Sequence, residues 1–175
     1  MTFLVCSVFR NSGYRFLASS RPALTVAGVL DRLRASGEPL ECVIVGAGVQ
    51  GRAHARTVLD VLEGVREVEV TFVSRIKPAD LPHPWVESGS AEAYEVLGRA
   101  GLVMVVTSSG EPVVVGRQLR PDATVLAVGA HTVDTRGLHE DVLRGAQVIV
   151  EDVEAARREV GDMTIAVEQG GACVG

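Results

Sequence analysis

Runs of consecutive apolar residues alternate along this chain with segments in which apolar residues recur every three or four positions. The first pattern is typical of buried β-strands and the second of amphipathic helices. The predicted strands cover residues 41–45, 68–73, 102–106, 124–128 and 147–150, and the predicted helices cover 55–62, 91–99, 138–144 and 153–160. Continuous apolar strands separated by helices predict a parallel sheet covered on both faces, a Rossmann-like doubly wound α/β fold.

The segment before this alternation has a different pattern. Two short apolar stretches around Asn11, Ser12 and Gly13 predict two strands joined by a turn, which could form a hairpin over residues 1–20. A helix is predicted over residues 22–35. The chain therefore divides into residues 1–38, with the hairpin and a connecting helix, residues 39–165, with the α/β domain, and a frayed tail over 166–175.

A glycine-rich turn links the first strand of the α/β domain to its first helix. Gly46, Gly48 and Gly51 have the G-x-G-x-x-G spacing. In this pattern the first glycine permits a tight turn, the second lets backbone approach a pyrophosphate, and the third allows a helix to pack closely on a strand. The N–H groups at the start of that helix favour phosphate binding without any basic side chain. The spacing predicts a dinucleotide site; the alternative is a glycine turn that only packs a helix on a sheet.

The end of the second strand indicates which dinucleotide would bind. In a NAD site an acidic residue at this position holds the ribose 2′-hydroxyl. Here the strand ends at Ser74 and Arg75, whose hydroxyl and guanidinium suit a 2′-phosphate. We therefore expect NADP(H) to be favoured over NAD(H). The alternative is that Arg75 is an ordinary surface arginine.

The connections after the other strands carry further polar residues. Prolines at 78, 82 and 84 predict a crossover loop in place of a helix. The third and fourth strands lead into the polar segments 107–110 and 129–132. Both segments should lie at the carboxyl edge of the sheet, where ligands bind in open α/β folds.

Composition narrows the possible partners. The 175 residues carry a net charge of −5 with a pI near 5.4, which argues against nucleic acid and anionic membranes and favours a small molecule. The three cysteines, Cys6, Cys42 and Cys173, suggest neither a disulfide framework nor a metal site. Residues 2–9 lack the basic start of a signal peptide and no apolar run is long enough to span a membrane, so we expect a cytoplasmic protein.

Four stretches together resemble the ornithine cyclodeaminase/mu-crystallin family, which includes cyclodeaminases, imine (ketimine) reductases and some alanine dehydrogenases. They are residues 45–54, 106–112, 128–136 and 154–162. Their order and spacing match the family from about Arg21 to Asp162. This combination is far more specific than the glycine spacing alone.

The resemblance implies roles for individual residues. Ser74 and Arg75 would face the adenosine ribose phosphate, and Arg21 would bind the substrate carboxylate unless it is an ordinary exposed arginine at the start of a helix. The residues implied at the pyrophosphate are Gly46, Ala47, Gly48, Val49 and Gln50, with Gly51 completing the glycine spacing. Those implied beside the nicotinamide are Thr107, Ser108, Val128 and Gly129.

The sequence departs from the family pattern in three ways. Family members are considerably longer, and their N-terminal domain for substrate binding and dimerisation supplies a catalytic lysine, whereas Lys77 is the only lysine here. Residues 1–38 would then be a remnant of that domain. A homodimer is still a possible assembly, although most of the family's dimerisation domain has no counterpart here. His131 replaces the aspartate that cyclodeaminases use, which argues against ornithine cyclodeamination. The proline-rich loop at 76–84 also shortens one connection.

These observations lead to three hypotheses of function. The first is an NADP(H)-dependent oxidoreductase that reduces the C=N bond of a small, cyclic imino acid. Arg21 would hold the carboxylate and His131 would relay the proton, because a histidine titrates near neutral pH; the alternative is that His131 only caps its turn. The second is a truncated chain that binds NADP(H) without turnover. In the third, a separate polypeptide supplies the missing half.

Overall fold

In the computed structural model, residues 3–7, 33, 38–128, 137–143 and 146–150 are described, with 3–7 and 147–150 described by their backbone alone. These ranges contain seven strands in one sheet, and every pairing between them is parallel. The strands are β1 (Phe3–Ser7), β2 (Leu40–Val45), β3 (Val68–Ser74), β4 (Trp85–Glu87), β5 (Leu102–Val105), β6 (Thr124–Val128) and β7 (Gln147–Val150).

The strand order explains where a ligand can bind. Across the sheet the order is β4-β3-β2-β5-β6-β1-β7. After β2, the next two strands, β3 and β4, lie on one side of β2. The chain then crosses over, and β5 and β6 lie on the other side. This reversal leaves a crevice beyond the carboxyl ends of β2 and β5, which is where doubly wound sheets bind ligands. The predicted fold class is confirmed.

Helices cover both faces of the sheet. They are α1 (Val49–Leu62), α2 (Ala91–Arg99) and the short α3 (Glu140–Leu143), with a 3-10 turn at Gly116–Gln118. The bounds predicted for α2 are confirmed, and its first turn is capped by Ser90 Oγ, which accepts a hydrogen bond from Ala93 N at 3.1 Å. None of the helices in the described ranges is both long and apolar enough to cross a membrane.

Alternation along the strands supplies the two apolar cores. In β2, Val43 and Val45 point to the core beneath α2 and α3, whereas Cys42 and Ile44 point to the core beneath α1. The same alternation recurs in β3, β5 and β6. A strand buried on both faces needs no polar positions, which is why the sequence shows continuous apolar runs.

Two features of the sheet differ from the sequence prediction. The loop at 76–84 contains no helix, as predicted, but it leads into β4, which pairs with β3 and had no counterpart among the predicted strands. Three residues are too few to produce a recognisable pattern. Helix α3 begins at Glu140 and not at the predicted Leu138, because Leu138 forms a bridge with Val114; the predicted end at Arg144 lies outside the described ranges.

The structure does not place β1 in the predicted N-terminal hairpin. This strand pairs in parallel with β6 on one edge and β7 on the other, so neither edge is available for the antiparallel partner that a hairpin requires. β1 therefore belongs to the same sheet as the glycine motif. Four predicted features lie outside the described residues. They are the second arm of the hairpin, the helix over 22–35 apart from Leu33, the helix over 153–160 and the tail. The domain boundaries at 38 and 165 stay predictions.

Candidate functional site

The glycine turn after β2 holds three chain segments in close contact. Gly46 has φ 113°, and a Cβ on it would collide with the carbonyl oxygen of Val106 at the end of β5. A Cβ on Gly51 would collide with the carbonyl oxygen of Gly46. Both positions therefore require glycine, the first for conformation and space and the second for space alone. The turn brings the start of α1 directly against the ends of two strands.

Gly48 differs from these two glycines, because nothing lies within 4 Å of the place where its Cβ would be. Its φ of −74° is ordinary for any residue. The open space lies at the start of α1, whose N-cap makes no side-chain hydrogen bond and whose first turn has no acidic residue. The N–H groups at such a helix start, together with the positive end of the helix dipole, favour the binding of an anion. Among the described residues, this geometry fits a pyrophosphate.

A cavity of about 500 Å³ opens beside this turn. Its floor is the glycine turn, one wall is the end of β3 with the start of the proline-rich loop, and the other wall is the segment after β5. The lining residues are Val45, Gly46, Ala47, Gly48, Val73, Ser74, Arg75, Ile76, Pro78, Ser88, Thr107, Ser109, Glu111, Pro112 and Val113. The structure thus brings together part of each predicted set from three separate parts of the chain: Gly46, Ala47 and Gly48 of the pyrophosphate set, Ser74 and Arg75 of the ribose set, and Thr107 of the nicotinamide set.

Ser74 lies in this wall, but its hydroxyl already has protein partners. Its Oγ donates to the carbonyl oxygen of Ile76 at 2.8 Å and accepts from Nε1 of Trp85 at 2.9 Å. A hydroxyl has a single proton to donate, so Ser74 would have to release Ile76 before it could donate to a phosphate. Ser74 therefore shapes the turn that carries Arg75, and Arg75 is exposed at the cavity. Trp85, which the sequence prediction did not include, fixes this arrangement.

The segment after β5 forms the facing wall. Thr107 lines the cavity, and its Oγ1 accepts a hydrogen bond from Ser109 N at 3.2 Å. Ser108 is exposed and lies outside the lining. Gln50 and Val49 are exposed in the first turn of α1, with Val49 84% exposed. Their predicted contact with pyrophosphate would therefore be made by backbone N–H groups.

The predicted residues near the end of β6 are only partly described. Val128 is the last residue of β6 and is buried, outside the cavity lining. Gly129 and His131 follow it and lie outside the described residues, as does Arg21. Their predicted roles beside the nicotinamide and the substrate stay predictions.

Arg52 joins the glycine turn to the proline-rich loop. Its Nη1 donates to the carbonyl oxygen of Asp80 at 2.9 Å, and its Nε lies 3.5 Å from the carbonyl oxygen of Ala47. Because one guanidinium bonds to both segments, the floor and one wall of the cavity are held together. The residue follows Gly51 directly, and nothing in its local pattern indicates that it reaches a loop so far away in sequence.

His54 is a core residue of α1. Its side chain is on the buried face of α1, with 1% exposure, and its Nδ1 is 2.7 Å from the carbonyl oxygen of Gln50. Nε2 has no hydrogen-bond partner among the described residues. Burial lowers the pKa of His54 below its ordinary value, which favours the neutral imidazole. His54 therefore gives the cavity neither a positive charge nor an acid.

Neither Cys42 nor a metal cluster offers another reactive centre within the described ranges. Burial raises the pKa of Cys42 to about 12, so its thiol is not ionised and is a poor nucleophile. No group of three or more histidine, cysteine, aspartate or glutamate side chains in the described part of the chain could hold a metal ion. Within the described ranges, the cavity at the glycine turn is the candidate site because it contains residues from all three predicted sets.

Comparison with known proteins agrees with this geometry. The model of the ornithine cyclodeaminase/mu-crystallin family matches residues 16–172. The chain belongs to this family. Among family relatives, the ketimine reductase mu-crystallin of Mus musculus is 30% identical over 151 residues, a match that covers 85% of this chain and 48% of the relative. The Delta(1)-pyrroline-2-carboxylate reductase of Paracoccus denitrificans is 26% identical, covering 73% of this chain and 42% of the relative.

Solved structures give the same result for the fold. The probable ornithine cyclodeaminase from Bordetella pertussis Tohama I has a TM-score of 0.69 at 26% identity, covering 90% of this chain and 51% of that one. The Thermococcus litoralis Delta(1)-pyrroline-2-carboxylate reductase, solved in complex with NADH and L-proline, has a TM-score of 0.68 at 24% identity, covering 89% and 50%. The chain thus spans about half the length of the family members it matches.

Proposed function

We propose that this chain binds NADP(H) in the cavity at the glycine turn and is the dinucleotide-binding part of a reductase for the C=N bond of a small, cyclic imino acid. The observation that carries the proposal is the open space at Gly48, which lies at the uncapped start of α1. The relatives named as ketimine and pyrroline-2-carboxylate reductases support the reaction class.

Specific groups of the chain would hold the dinucleotide. The backbone N–H groups from Ala47 to Gln50 would bind the pyrophosphate, because they lie at the positive end of the α1 dipole. Arg75 would pair with the 2′-phosphate, since a guanidinium forms two parallel hydrogen bonds to such a group. Thr107 would border the nicotinamide half. Ile76, 81% exposed and part of the lining, would cover the adenosine.

The chemistry would divide between cofactor and chain. When bound, a reduced nicotinamide supplies a hydride to the carbon of the C=N bond. Arg21 would orient the imino acid by pairing with its carboxylate. His131, shortly after the end of β6, would donate a proton to the nitrogen as its electron density rises. An imidazole suits this role because it gives and takes protons near neutral pH.

Replacing Arg75 tests the cofactor preference. For Arg75→Ala we expect the Kd for NADPH to rise about tenfold, because Arg75 is exposed and solvent weakens its pairing with the 2′-phosphate, while the Kd for NADH changes less than about twofold. Titration that follows the fluorescence of the reduced nicotinamide gives both constants. Arg56→Ala, on the exposed surface of α1, is the matched control. Equal Kd values of the unaltered protein for the two cofactors, or equal losses in the variant, would reject the 2′-phosphate assignment.

Turnover separates a reductase from a protein that only binds NADP(H). With Δ1-pyrroline-2-carboxylate and NADPH we expect loss of the reduced-nicotinamide absorbance, and a rate about 100-fold lower for His131→Ala. Tight NADPH binding with no rate would instead select binding without turnover. A rate that appears only when a separate lysine-bearing polypeptide is added would show a divided enzyme.

A further inference from the structure

The cavity contains one residue of each charge on opposite walls. Among its lining residues in the described chain, only Arg75 and Glu111 are charged. Arg75 follows β3, and Glu111 lies on the segment between β5 and the 3-10 turn. The rest of the lining is apolar, glycine or hydroxyl-bearing. These two side chains therefore dominate the electrostatic difference between one bound dinucleotide and another.

Local hydrogen bonds fix the position of Glu111. Ser109 N donates to Thr107 Oγ1 at 3.2 Å, and Glu111 N donates to Ser109 Oγ, also at 3.2 Å. Two consecutive turns of this kind define the course of the segment. Pro112 follows and restricts the backbone of Glu111 to extended conformations. Glu111 is thus held at the rim of the cavity, with an exposed side chain.

The size of the cavity places the two charges within electrostatic reach of a bound ligand. A sphere of the same volume, about 500 Å³, has a diameter of about 10 Å, slightly more than the Debye length of roughly 8 Å in physiological salt. A ligand inside the cavity lies closer to each wall than this diameter, so a charge on either wall is only partly screened from it. A 2′-phosphate brings nearly two additional negative charges at neutral pH, as any phosphate monoester does.

We infer that Glu111 is a specificity-determining residue that disfavours the 2′-phosphate, so that Arg75 and Glu111 together set the cofactor preference. This inference rests on the proposed binding of a dinucleotide in the cavity. Arg75 attracts the 2′-phosphate and Glu111 repels it. The site is then less selective for NADP(H) than Arg75 alone would make it.

The test is the substitution Glu111→Gln, which removes the charge and keeps the size. We expect the ratio of the Kd for NADH to the Kd for NADPH to rise about three- to tenfold, as expected for one charge acting across a partly hydrated cavity. The same titrations in about 1 M salt should reduce this rise, because the Debye length falls to about 3 Å. Glu111→Asp keeps the charge and should leave the ratio near that of the unaltered protein. Glu95→Gln, on the exposed surface of α2, is the control.

The outcomes separate this inference from the function on which it rests. If the unaltered protein and the variants bind neither dinucleotide, the proposed function is rejected and the inference with it. If all bind but the ratio is unchanged or lower in Glu111→Gln, the role of Glu111 alone is rejected. An increase that is equally large in Glu95→Gln, or that does not diminish in high salt, also rejects it.

Discussion

A valine in place of Gly48 is expected to abolish most dinucleotide binding while the protein stays folded. No atom lies within 4 Å of the missing Cβ, and the φ of −74° suits any residue. The side chain would occupy the space through which a pyrophosphate reaches the N–H groups of α1. Losing about two hydrogen bonds to a charged group weakens binding about 100-fold. Titration with NADPH measures this change.

Stability measurements show whether the loss of NADPH binding arises at the site or from unfolding of the protein. Gly48→Val should lower the free energy of unfolding by only about 1 kcal/mol, since valine is a poorer N-cap than glycine. Gly98→Ala, on α2 with an ordinary 3.6 Å contact to the carbonyl oxygen of Gln118, should leave NADPH binding unchanged. Retention of NADPH affinity in Gly48→Val would show that the phosphates do not approach α1 there, and the proposed site would be wrong.

An alanine in place of Gly46 is expected to destabilise the fold itself. The φ of 113° is strained for any residue with a side chain, and the added Cβ would collide with the carbonyl oxygen of Val106. Strain and displacement of the β5 end together should cost about 3 kcal/mol. Urea unfolding measures this loss, and a folded variant should also bind NADPH more weakly because the turn has moved.

Gly64 offers the matched control for Gly46. It follows the end of α1 with φ 68°, and nothing lies within 4 Å of its missing Cβ. Gly64→Ala should therefore cost only the conformational part, about 1 kcal/mol. Equal losses for the two variants would mean that β5 yields easily to the added methyl group, so the close contact at Gly46 would not define the turn.

The sequence predicted the parts of the fold that depend on neighbouring residues. The step from β2 through the glycine turn to α1 is contiguous, and the bounds of α2 followed from its apolar periodicity. The position of β1 between β6 and β7 was not predictable, because parallel pairing joins residues far apart in the chain and nothing local specifies the partner. β4 has too few residues to show any pattern.

In the candidate site too, the residues that could be predicted are those whose signal lies in neighbouring residues. The three glycines were identified from their spacing within one turn, which reflects conformational and steric requirements at Gly46, a steric requirement at Gly51 and open space at Gly48. The hydrogen bond that the Ser74 hydroxyl accepts was not predictable, since its partner Trp85 belongs to another strand. Glu111 was missed because it becomes part of the site only when the segment after β5 folds over the cavity. Arg21 and His131 depend on the family resemblance and stay predictions.

The hydrogen bond between Trp85 and Ser74 also gives the protein an intrinsic optical reporter. Trp85 is the only tryptophan in the sequence. Its indole N–H donates a hydrogen bond to Ser74, the last residue of β3, which directly precedes Arg75. Its emission overlaps the absorption band of a reduced nicotinamide, so energy transfer should quench it when a reduced dinucleotide occupies the cavity. Occupancy could then be followed in the unlabelled protein, in real time, through a single residue whose position is known.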